Sequence, residues 1–110
     1  MVFELVDLEE LGGKALQDFQ ESISKSADSE HAAARLSAKV EFAYGVAARM
    51  AHHERTLEGT AAIWAKMVSI CDEISTQIKR LEPQHPEYKT SYDRILDYRN
   101  AAEKRRQLHS

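Results

Sequence analysis

Apolar residues recur along this chain at spacings of three and four, the period of a helix rather than the alternation of a strand. Leu8, Leu11, Ala15, Phe19 and Ile23 trace one helical face over about residues 7–27. Tyr88, Tyr92, Ile95, Tyr98 and Ala102 do the same over about 86–108. Between them, residues 30–82 run for 53 positions without a proline. Every seventh residue from Leu36 is apolar: Leu36, Ala43, Met50, Leu57, Trp64, Cys71 and Ile78. A straight helix drifts about 20° per heptad from such a repeat, so a strict seven-residue period predicts a left-handed supercoil. Val40, Ala47, Ala61 and Val68 fill the second position of the seam, and Met67, Ile74 and Leu81 take it over later. The apolar face of 63–81 is wide enough to need more than one neighbour.

The pattern predicts an all-α fold: a helical bundle built on a long central helix, about 29–82, flanked by shorter helices at about 7–27 and 86–108. The packing expected is antiparallel and coiled-coil-like, within a single domain spanning 1–110. Gly12-Gly13 weakens the first helix and sets off residues 1–11 as a separate turn. Asp28 or Ser29 caps the second segment, with Glu30 in its first turn. Pro83 ends it, and Pro86 suits the first position of the next helix. A continuous 30–82 helix would be about 80 Å long, whereas a compact chain of this size has a radius of gyration of about 13 Å. The continuous reading therefore implies an elongated molecule. Its competitor is a break at "LEGT", where Gly59 ends one helix and Thr60 caps the next. The seven-residue period crosses Gly59 without slipping, which favours the continuous form.

One polar stretch interrupts the seam. Between Met50 and Leu57 the second seam position falls on His53 or Glu54, beside His52. The interruption lies near residue 56, the midpoint of 30–82. If two long helices pair antiparallel about that point, this belt meets its own copy and sets the register. Leu36, Val40, Met50, Leu57, Trp64, Val68, Cys71 and Ile78 then form a seam serving both core and dimer.

Charge adds an orientation. Residues 1–34 carry eight acids against two bases, and residues 79–110 carry eight bases against five acids. In an antiparallel dimer the acidic first helix would lie beside the basic last helix of the other copy. Hydrophobic content of 43% with 30% charged residues excludes a chain disordered by composition. No apolar run reaches the roughly 20 residues that span a bilayer. The acidic opening "MVFELVDLEEL" lacks a signal peptide's basic start, and the lone Cys71 forms no internal disulfide. Together these predict a cytoplasmic protein.

Chemistry is scarce. A di-iron bundle needs two Glu-x-x-His motifs facing inward; the one such spelling, Glu82 to His85, falls in the proline turn. His52 and His53 point about 100° apart on a helix, so with Glu54 and Glu58 they would gather a metal only across a dimer. Cys71 on the seam reads as a small core hydrophobe. No catalytic, cofactor-binding or metal residues are assigned.

The reading is a non-enzymatic interaction or assembly module, acting as a homodimer with a protein partner. Phe42 and Val46 lie beside the seam as candidate partner contacts. Arg94, Arg99, Lys104, Arg105 and Arg106 are candidate phosphate contacts for the alternative, a membrane-surface or polyanion binder. Long helices with a basic face are similar in architecture, though not in motif, to curved dimeric membrane modules of the BAR type.

Overall fold

The computed structural model describes residues 4–25 and 29–109. Four helices carry the periodic segments: α1 (Leu5–Ser24), α2 (Ser29–His53), α3 (Leu57–Leu81) and α4 (Lys89–Leu108). No strand occurs among the described residues. The capping expected of Asp28, Ser29 and Glu30 lies outside the described residues and side chains.

The long central helix is two helices. Its extended form is corrected by a turn at residues 54–56, which folds α3 back on α2. The cause is local. Oε1 of Glu54 accepts hydrogen bonds from the backbone N–H of Arg55 at 3.0 Å and of Thr56 at 3.1 Å. Thr56 is extended, with φ −113° and ψ 148°, and its hydroxyl accepts from the Gly59 N–H at 2.9 Å. Thr56 is thus the N-cap of α3, one turn ahead of the expected Thr60, and α2 stops before Gly59 is reached. Gly59 serves a different purpose. A Cβ there would lie 2.5–2.8 Å from the Glu54 carboxylate atoms, so glycine leaves room for the side chain that shapes the turn.

The seven-residue period misled because a helix pair folded at its midpoint buries the same positions as two long helices side by side. Leu36, Ala43, Trp64, Cys71 and Ile78 are all buried within one chain. The seam fails only at the turn, where Met50 is partly buried and Leu57 is 70% exposed. The particle measures 45 × 26 × 15 Å, with a radius of gyration of 14.3 Å.

α1 starts at Leu5, where the Asp7 carboxylate accepts from the Glu4 N–H at 2.8 Å. It runs unbroken through Gly12-Gly13, so residues 5–11 are not a separate turn. Gly12 is needed for close approach to α3: a Cβ there would lie 2.7 Å from Cγ2 of Ile70. Pro86 opens a short 3-10 turn, Pro86–Tyr88, which leads into α4; its missing N–H goes unneeded at a helix start.

Side-chain pairs give the directions. Asp18 meets Arg35 and Lys39, so α1 and α2 are antiparallel. Glu9 meets Lys66, and Asp72 meets Arg99, which makes the order up-down-up-down. α1 and α4 each pack on both α2 and α3, and lie on opposite sides of that pair. The acids of α1 therefore find bases on α2 and α3 of their own chain. The core gathers Leu8 and Phe19 of α1, Leu36 and Val40 of α2, Trp64, Met67, Cys71, Ile74 and Ile78 of α3, and Ile95 of α4. Tyr88 closes one end edge-on to Phe19, with ring centroids 5.7 Å apart.

Candidate functional site

Two concave surfaces stand out, one at the α2–α3 turn and one between α1 and α2. The first contains the polar belt. His52, His53 and Glu54 are all exposed, so the belt is the end of a helix and its turn. The two imidazoles meet edge to face at 5.1 Å. The Glu54 carboxylate faces back into the turn, where hydrogen bonds from the Thr56 and Arg55 N–H groups and the Thr56 hydroxyl hold it below the usual glutamate range. All three of these bonds fall on Oε1, which ties the carboxylate to the turn. Among the described residues, no group of three His, Cys, Asp or Glu side chains is placed to hold a metal ion.

Beside this turn lies a cleft of about 400 Å³ bordered by His52, Arg55, Thr60, Trp64, Arg105 and His109. The Arg105 guanidinium sits 5.1 Å from the Trp64 ring centroid and 5.9 Å from that of Tyr44. Tyr44 in turn meets Trp64 at 5.2 Å and Tyr98 at 5.3 Å. An arginine stacked this way spends its planar face on aromatic π-density. It lies over the buried Trp64 while remaining exposed to solvent.

The second surface is a groove of about 410 Å³ between α1 and α2. Its lining is apolar: Leu11 and Ala15 from α1, Ala38 and Phe42 from α2. Lys14 borders it on α1, and Arg35 and Lys39 border it on α2. Phe42 is 60% exposed. A large aromatic left in water beside an apolar channel retains most of its burial free energy for a ligand to use. Asp18 bonds Lys39 at 3.0 Å and approaches Arg35 at 3.7 Å. The hydrogen bond from Lys39, with the positive field of both bases, holds the Asp18 carboxyl below its ordinary range.

Of the two residues singled out in the sequence as partner contacts, Phe42 is exposed and borders the groove, whereas Val46 is 2% exposed and belongs to the core. Leu36, Val40, Trp64, Val68, Cys71 and Ile78 belong to the chain's own core. Burial pushes the Cys71 thiol up to about 12, which keeps it protonated and unreactive. Three of the five candidate phosphate contacts on α4 have a partner within the chain. Arg99 pairs with Asp72 at 3.0 Å, Arg106 pairs with Glu103, and Arg105 lies on Trp64. Arg94, Lys104 and Arg105 are exposed.

The seam count passed over Leu11, Lys14, Arg35 and Lys39. Arg35 and Lys39 are one turn apart and flank Phe42 on the same side of α2, a pattern present in the sequence. Its pairing with Lys14 required the α1–α2 packing. No described helix is long and apolar enough to cross a membrane. Compared with known proteins, the chain matches no family model, no curated sequence and no solved structure.

Proposed function

We propose that this chain is a non-enzymatic helical interaction module, and that its contact surface is the groove between α1 and α2. The observation that carries the reading is Phe42, exposed at the edge of an apolar channel, whereas the other large aromatics among the described residues are packed or stacked. Aromatic anchors beside a pocket are where binding free energy concentrates. Two antiparallel helices also present a trough whose natural complement is a third helix. The seam that invited a second chain is occupied within this one, so association rests on the groove. A homodimer is the case in which the second copy supplies the docking element.

The test uses a designed helical peptide of about 18 residues, with a leucine ridge at i, i+3, i+4 and i+7 and glutamine flanks. Fluorescence anisotropy of the labelled peptide should give saturable binding to the wild-type chain. Phe42→Ser should weaken that binding by about tenfold, as expected for loss of an anchor. Absence of binding, or equal binding by Phe42→Ser, would overturn the proposal. Light scattering on both proteins shows whether a second copy fills the role.

A further inference from the structure

The rim of the groove carries more information than its floor. Lys14 stands on the α1 side, with Arg35 and Lys39 one turn apart on the α2 side. Asp18 shares its carboxylate between Arg35 and Lys39 on one bank. Lys14, on the other bank, makes no ion pair among the described residues. An occupant lying along the channel would therefore have cations on both of its sides and Phe42 against its apolar face. A cationic occupant would meet like charge on both flanks, and a neutral one would leave Lys14 without a partner.

Building on the groove as the contact surface, we propose that its partner is an acidic amphipathic helix, with an apolar ridge set against Leu11, Ala38 and Phe42 and carboxylates flanking it toward Lys14 and Lys39. Complementary charge of this kind selects the partner and its orientation and speeds encounter, while the apolar ridge supplies most of the affinity. The groove is concave and bounded by two helices, a shape matched by a rod rather than by a flat bilayer. A helix of about 18 residues is about 27 Å long, shorter than the 45 Å long axis of the bundle.

The experiment compares the glutamine-flanked peptide with two peptides of identical ridge, one flanked by glutamate and one by lysine. The glutamate form should bind about tenfold more tightly than the glutamine form at low salt, and the lysine form more weakly than either. The glutamate advantage should shrink at high salt, because rim charges are screened. Lys14→Glu combined with Lys39→Glu, with helicity checked by circular dichroism, should reverse the order. Equal binding of all three peptides would overturn the acidic-partner assignment and leave the groove reading intact. Failure of all three would remove both. Phe42-dependent binding to anionic phosphatidylserine vesicles, uncompeted by the glutamate peptide, would assign the face to a membrane and overturn the proposal as well.

Discussion

The turn-end cleft and the α1–α2 groove are similar in volume and opposite in how their groups are used. The cleft is bordered by the exposed His52, Arg55 and Leu57 and by His109, while three of its side chains serve the turn and the core. Glu54 holds the turn, Thr56 caps α3, and Arg105 lies on Trp64. The groove is lined by ordinary residues, and its largest side chain is exposed to water. What distinguishes the two surfaces is their aromatic side chain: Trp64 in the cleft is buried under Arg105, whereas Phe42 at the groove is left in water.

That contrast is breakable, most strongly at Trp64. It is 1% exposed and forms the floor beneath Arg105. Trp64→Ala should cost about 3–5 kcal/mol in urea denaturation, the usual range for deleting a buried large aromatic. A loss under about 1 kcal/mol would mean that the cleft is not part of the core. Thr56→Ala removes the cap at the turn and should cost about 1 kcal/mol by the same measurement. Glu54→Gln probes the turn by pH. The folded-state carboxyl lies below its unfolded value, so its contribution is present above the unfolded value and is lost as pH falls through the folded one. The acid limb of the stability curve should flatten in Glu54→Gln, and an unchanged limb would mean that the turn does not use the charge. The smallest effect belongs to the groove. Phe42→Ser should change stability by less than about 0.5 kcal/mol, as for an exposed position. A large loss would make Phe42 a core residue and close the comparison.

Much of the helical content was legible in the sequence, since the three-and-four spacing and Pro83 with Pro86 mark the segments within a few residues. The buried half of the seam was legible too. Its fold was not, because burial at Leu36, Trp64 and Cys71 is the same whether the partner helix comes from another copy or from a hairpin. The deciding signal was short-range: Glu54 reaching the N–H groups of Arg55 and Thr56, and Thr56 capping Gly59. A period count over seven residues averages such a signal away. The groove was half visible. Phe42 stood out as an apolar residue off the seam, and Val46, beside it on the helical wheel, looked equivalent, but the folded bundle buries Val46 and leaves Phe42 exposed.

Gly12 lies on the flank of α1 that meets α3, pressed against Ile70. Leu11 and Ala15, the groove's α1 wall, belong to the same turn of helix as this notch. The closeness of that contact sets how deeply α1 seats against α3, and with it where the groove's α1 wall stands. A methyl group at position 12 would change none of the residues that line the groove and would still push outward the helix that carries Leu11 and Ala15. The width of the channel thus depends on a residue outside its lining.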